Sequence, residues 1–310
     1  MTLLLLLSGL GLLCLPACAR PLGRRLPPAE WARVCAGLLA AGAIGVEASL
    51  AIQAAPTMLR TVGLEGIADM CEHVAPGGPP VGIAAAVAAA VMALLAGRAA
   101  LGVRRRHRIA RVEQEIGWHG TLGGHRLVVL PSEELVAFST AGRPGQVVMS
   151  RGLITALSDN ELAAVVRHEV AHVRHRHQRY LLLARVVERS LGLLPMVRRA
   201  VTALRCAVER WADEAAAGPR SSDRASVHAA LLRVAELAAM PDIAAFTAPE
   251  TVAERLEALR SGPTRGLALG RRLLVYLPAG LLLLASAVAL DHILEHVSFL
   301  GLLVDLCPPH

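Results

Sequence analysis

Ser158-Asp159-Asn160-Glu161-Leu162-Ala163-Ala164-Val165-Val166-Arg167-His168-Glu169-Val170-Ala171-His172-Val173 is the stretch that decides the fold. Leu162, Val165, Val166, Val170 and Val173 recur at the spacing of a helix that turns one face to a core. Ser158 or Asp159 supplies its N-cap, with Glu161 in the first turn. On this helix His168 and His172 stand about one turn apart, so both imidazoles can reach one tetrahedral metal ion. Glu169 falls between them, where a carboxylate can take a proton from a water attacking a carbonyl and later deliver it to the leaving amine.

A catalytic zinc takes three protein ligands and keeps one position for water. The candidates for the third are His175, His177, Glu188, Glu209, Asp213 and Glu214. The position six residues after His172 is Gln178, so a three-histidine site fails and a carboxylate is expected. In Glu209-Arg210-Trp211-Ala212-Asp213 two carboxylates stand one helical turn apart, which lets Glu209 bind the metal while Asp213 orients a ligand imidazole. Glu188 and Glu214 lack such a partner. The alternative for the Glu209 and Asp213 pair is a solvated helix face. His175 and His177 lie among Arg174, Arg176 and Arg179, a positive setting hostile to a metal, and read as surface or supporting groups.

Before the helix, 126–130, 135–139 and 146–149 are short β-type runs separated by Pro131, Gly142, Pro144 and Gly145, and predict a small antiparallel sheet. After it, 180–200 is apolar but interrupted by Arg185, Glu188, Arg189 and Pro195, which predicts an amphipathic helical hairpin near a membrane rather than a span. Residues 201–217 and 223–240 predict two further helices.

Of the 310 residues 54% are hydrophobic and 18% charged, with a mean hydropathy of +0.50, too apolar for an ordinary soluble chain of this length. Four stretches approach the roughly 20 residues a helix needs to cross a bilayer: about 2–19, 32–55, 80–103 and 273–290. The first could also be the apolar part of a cleaved secretory signal. No basic residue precedes it and Arg20, Arg24 and Arg25 follow, which favours a retained anchor with its N-terminus outside. Arg104, Arg105, Arg106 and Arg108 after the third stretch, and Arg265, Arg271 and Arg272 before the fourth, place the middle of the chain in the cytoplasm. Glu65, Asp69 and Glu72, and later Asp291 and Glu295, mark the outside. The expected parts are a membrane region over 1–103, a cytoplasmic catalytic domain over 104–270, and a last span with a short external tail over 271–310.

The formal charge is +7 and every fixed positive group is an arginine. With three Trp, two Tyr and three Phe, aromatic base-stacking platforms have little material, so the charge reads as membrane orientation and no direct nucleic-acid binding is expected. The six cysteines form no C-x-x-C pair, against a disulfide framework or a cysteine metal site. Cys71 and Cys307 could both lie outside the membrane and pair.

The run Ala137-Phe138, Gly142, Val147-Val148, Gly152-Leu153-Ile154, Asp159 to Val165, His168 to His172 and Glu209 to Asp213 resembles the HtpX and CAAX-prenyl-protease group of membrane gluzincins. It also resembles the peptidase domain of BlaR-type antirepressors. The likeness spans roughly 105–260. It implies a mainly α, multi-pass membrane protein with a cytoplasmic α+β metallopeptidase domain. It further implies one Zn2+ per chain held by His168, His172 and Glu209, with Glu169 as base and Asp213 behind a ligand. The partners it implies are the lipid bilayer and a polypeptide substrate, such as a transcriptional repressor or a misfolded membrane protein. Extended substrates of such enzymes pair with a sheet edge beside the active helix, a role the 135–149 strands could fill. Many relatives have His-Pro where this chain has Ala248-Pro249 before Arg255. That departure counts against a transition-state role there, and Arg255 is a candidate for anchoring substrate or stabilising an oxyanion, with a salt bridge to Glu209 or a nearby carboxylate as the favoured alternative. The segment after the last span is too short for the external sensor of a complete BlaR receptor. A different class is a non-catalytic zinc-holding scaffold or transducer, against which the intact Glu169 argues.

Overall fold

The computed structural model describes residues 1–115, 117–122, 125–140, 145–238, 249–262 and 269–306. The chain opens with α1 (Thr2–Cys18), the single turn α2 (Arg20–Gly23), α3 (Pro28–Thr61), α4 (Glu65–Glu72) and α5 (Gly78–Glu115). A sheet follows, of β1 (Trp118–Leu122), β2 (His125–Leu130), β3 (Ala137–Thr140) and β4 (Gln146–Ser150). Then come α6 (Arg151–Ala156), α7 (Asp159–Arg174), α8 (Gln178–Leu191), α9 (Pro195–Ala217), α10 (Ser221–Ala238), α11 (Pro249–Ser261) and α12 (Leu269–Leu306). The fold is mainly helical, as expected.

Among the described residues, three helices carry segments long and apolar enough to cross a bilayer: Pro28–Thr61, Gly78–Gly102 and Arg272–Glu295. The first expected span is the helix α1, of 17 residues. At 1.5 Å per residue it reaches about 25 Å, short of a hydrocarbon core of about 30 Å. It lies against α3, where a Cβ on Gly42 would meet the Gly9 carbonyl oxygen at 2.7 Å. Small residues thus let the two backbones touch, the packing available where lipid removes any hydrophobic drive between helices. By contrast Val87, Leu94, Leu281 and Leu284 on α5 and α12 are exposed, as lipid-facing side chains are. No break marks position 103, since α5 continues to Glu115.

The sheet is mixed rather than antiparallel. Its order is β1-β2-β4-β3, with β2 and β4 parallel and the two outer pairs antiparallel. The β1 strand was not foreseen, because Trp-His-Gly-Thr-Leu carries neither a β-branched run nor a clear alternation. The parallel pair arises because β3 intervenes between β2 and β4 in sequence but is placed outside β4. The 146–149 run is therefore interior and closed to a pairing peptide, while β3 is the outer strand beside α7. Ser150 turns the chain into α6 by accepting the Leu153 N–H at 3.2 Å.

The expected hairpin at 180–200 is α8 and α9 joined at Gly192 to Leu194, and the expected 201–217 helix is the continuation of its second arm. Packing does not respect the three-part division of the sequence. One buried cluster joins Leu13, Leu26, Trp31, Leu39 and Val46 to Val187, Val197, Val201 and Leu204, and to Val275 of α12. The α8–α9 hairpin is thus bound to the membrane helices, while the end of α9 at Ala216 and Ala217 packs with α7, α10 and α11 in a second cluster. Cys307 lies outside the described residues, and Cys14, Cys18, Cys35, Cys71 and Cys206 are free thiols.

Candidate metal centre

Ser158 is the N-cap of α7, its backbone N–H donating to the Glu161 carboxylate at 2.9 Å and its hydroxyl to the same oxygen at 2.7 Å. The helix packs Leu162, Val165, Val166, Val170 and Val173 on Val147 and Met149 of the sheet. That face being spent on the core, His168 and His172 turn the other way, toward α9. Its Glu209 meets them there.

The three side chains converge. His168 Nε2 and His172 Nε2 are 3.1 Å apart, Glu209 Oε2 is 3.3 Å from the first and Oε1 3.7 Å from the second. Ligands about 2.1 Å from a tetrahedral zinc stand about 3.4 Å from one another, so these separations suit a common ion. His168, His172 and Glu209 form a group able to hold a metal. Asp213 accepts from His168 Nδ1 at 2.9 Å, which directs the lone pair of Nε2 into the centre. Glu169, half-buried on the same helix, is close enough for its charge to act on His172.

Arg255 grips Asp213 through Nε at 2.7 Å and Nη2 at 2.8 Å, and its Nη1 lies 3.4 Å from Glu209. Of the two readings open to it in the sequence, the geometry is that of the salt bridge, with the guanidinium committed to carboxylates. Ala248 lies outside the described residues. The next residue back on α11, Glu254, binds Arg20 at 2.9 Å and Arg24 at 2.7 Å, both from the segment that follows α1.

Electrostatics follow from this packing. Burial opposes a charge on His168, but the hydrogen bonds and charges of Asp213 and Glu209 outweigh it and push the imidazole up to about 10. Burial likewise opposes the Asp213 charge, and Arg255 and His168 overcome it, holding the carboxyl down at about 2. Glu209 is lowered too, against burial, by His172, His168 and Arg255. Burial lowers His172, which keeps it neutral and able to donate a lone pair.

Two results follow. Because the His168 value is raised, the imidazole holds a proton at neutral pH that a metal must displace. Zinc uptake at pH 7 should therefore release about one proton per ion, and affinity should climb as pH rises toward 10. Calorimetry in buffers of different ionisation heat measures this, and no buffer dependence would contradict it. Arg255→Met should strand Asp213, whose side chain is only 3% exposed, and cost about 3–5 kcal/mol of unfolding free energy in a denaturant titration. Equal stability in the variant would show that the pair is not needed.

Of the two readings open to His177 in the sequence, surface or supporting, the structure gives the second, directly behind the group. His177, fully buried, places its Nδ1 3.1 Å from Nδ1 of His172. The surrounding arginines, read as hostile to a metal, include Arg174, Arg176 and Arg179, which are all exposed to solvent.

Helix-borne imidazoles, a carboxylate from a later helix and a neighbouring glutamate define the HExxH class of metallopeptidase site. Residues 103–205 match the model of peptidase family M48, a stretch that contains His168 to His172 and ends before Glu209. Among curated proteins, a protease HtpX homolog of Desulforapulum autotrophicum is 27% identical over 170 residues, 52% of this chain and 51% of that protein. One from Aquifex aeolicus is 27% identical over 86 residues, 27% and 28% of the two chains, and one from Acidiphilium cryptum 30% over 71 residues, 22% and 25%. The chain thus aligns with about half or less of the length of these relatives. No solved structure matches it. The matched segment is similar to peptidase family M48 and to HtpX-type proteases, as the motifs in the sequence suggested.

Proposed function

We propose that the chain is a membrane-embedded zinc endopeptidase, with one Zn2+ held by His168, His172 and Glu209. The observation that carries this is the 3.1–3.7 Å triangle of donor atoms with Glu169 on the helix that supplies two of them. When bound, zinc would supply Lewis acidity, polarising a carbonyl and making water a nucleophile at neutral pH. Glu169 takes the proton that water loses and returns it to the departing amine. Asp213 holds His168 in register and Arg255 holds Asp213.

An extended peptide would pair with β3. Val136 O accepts from Ser150 N at 2.9 Å, so by alternation Ala137 and Ser139 turn their backbone groups away from β4. The Ser139 carbonyl already accepts from Gln178 at 3.1 Å, which leaves the remaining outward groups of β3 for substrate.

For the membrane setting, Arg20 and Arg24 on Glu254 support a site on the same side of the bilayer as the loop after α1. The arginine distribution makes that side cytoplasmic, with both termini outside. Substrates are then cytoplasmic or membrane polypeptides, cleaved in quality control or in regulated removal of a repressor. Broad accumulation of uncleaved membrane proteins in cells carrying Glu169→Ala would indicate the first, and one stabilised soluble target the second.

The direct test is cleavage of unfolded casein by the detergent-purified full chain, abolished by a zinc chelator and restored by added zinc. A folded, zinc-loaded preparation that leaves casein and membrane polypeptides intact would instead favour the non-catalytic scaffold.

A further inference from the structure

The turn between α7 and α8 is unusual in its chemistry. His175 ends α7, and Arg176 takes φ 55°, a left-handed conformation and the one positive φ at a non-glycine among the described residues. The Arg176 N–H donates to Val173 O at 3.2 Å and the His177 N–H to His172 O at 3.0 Å. This is the Schellman ending of a helix, in which glycine normally fills the left-handed place. A side chain there costs about 1–2 kcal/mol, and retained strain of this kind is a pointer to function. The motif usually closes with an apolar contact between the residues at the two ends of its long hydrogen bond. Here those residues are His177 and His172, and the contact is Nδ1 to Nδ1 at 3.1 Å.

Two nitrogens at that distance must share one proton, and the two ways of sharing it are not equivalent. If His177 donates, the neutral His172 carries its own proton on Nε2, the atom that faces His168 and Glu209, and cannot give a lone pair there. If His172 donates, its Nε2 is free for the metal, and His177 carries its proton on Nε2. That atom is buried and has no hydrogen-bond partner among the described residues, with the Trp211 ring 4.7 Å away between centroids. An indole face can take a weak N–H contact. Arg33 lies 5.0 Å over the same indole, so the aromatic wall behind His177 is itself held by α3.

We propose that His177 is a positioning residue for the metal centre, its Nδ1 accepting the Nδ1 proton of His172 and so fixing the tautomer that presents Nε2 to the ion. It does for His172 what Asp213 does for His168, as a neutral acceptor instead of a carboxylate. This rests on the zinc-site reading above. The centre is then supported by one acid and one neutral ring, which keeps its charge lower than a pair of acids would.

The test is zinc affinity of the full chain by competition with a chromophoric chelator, a readout independent of proteolysis. His177→Phe keeps the bulk among Tyr180 and Trp211 but removes the acceptor, and should weaken zinc binding 10–100-fold. His177→Asn places an amide oxygen where Nδ1 was and should recover most of the loss. Equal zinc affinity in wild type and Phe variant, or an equal loss in Phe and Asn variants that remain folded, would overturn the proposal. Should the Phe variant fail to fold, 15N spectra of the ring nitrogens in the zinc-loaded wild type decide. They must show His177 protonated at Nε2, and protonation at Nδ1 would refute it. A wild type that binds no zinc would sink the metal reading itself, an outcome distinct from all of these.

Discussion

Glu169→Gln should lower kcat/KM on casein by about 10²–10⁴-fold, the range a proton-transfer group contributes, and leave the zinc content at its wild-type level. Glutamine has the shape of glutamate but cannot accept a proton at neutral pH. Glu169 stands outside the triangle formed by His168, His172 and Glu209, so the donor set is intact in the variant. The side chain is also only half-buried, and swapping one polar group for another there asks little of the fold. Steady-state cleavage together with metal analysis of the same sample measures both halves of this expectation. Full turnover with full zinc would mean that another group moves the proton.

Glu209→Ala should have the opposite signature, losing metal first and activity as a result. The substitution removes one of three donors and leaves Arg255 Nη1 without the carboxylate 3.4 Å away. Loss of a supporting partner such as Asp213 costs 10–100-fold in affinity, and loss of a ligand should exceed that, by at least about 10²-fold. Asp213→Asn is the natural comparison, since it keeps the ligand and weakens only the hold on His168. If Glu209→Ala bound zinc as tightly as Asp213→Asn, the third donor would lie elsewhere.

The site was legible in the sequence to the extent that it lies along helices. Spacing by four on α7 and again on α9 projects residues onto one face whatever surrounds them, so His168, His172, Glu209 and Asp213 could be grouped without a structure. The meeting of the two helices could not be read from spacing alone; it was inferred from the need for a third ligand, and the family likeness agreed with it. Whether His177 was a surface or a supporting group stayed open, because its inward turn depends on a left-handed Arg176, a conformation that residue type argues against. The reading that kept His175 and His177 out of the ligand set agrees with the group His168, His172 and Glu209, although Arg174, Arg176 and Arg179 leave the turn for solvent while the His177 ring goes inward. Strand pairing was half legible. The β-runs at 126–130, 135–139 and 146–149 correspond to β2, β3 and β4, but order within a sheet is set by long-range contacts, and a parallel pair between β2 and β4 leaves no local trace.

The shared core has a practical meaning for anyone who would cut the molecule. Val197, Ala200, Val201 and Leu204 on α9 are covered by α1 and α3, and the same rod carries Glu209 at its far end. A water-soluble excerpt beginning after α5 would lay that apolar stripe bare and also forfeit the grip of Arg20 and Arg24 on Glu254, next to Arg255. The N-terminal helices therefore complete the core of the helix that carries Glu209, and an excerpt without them should clump before it ever captures an ion.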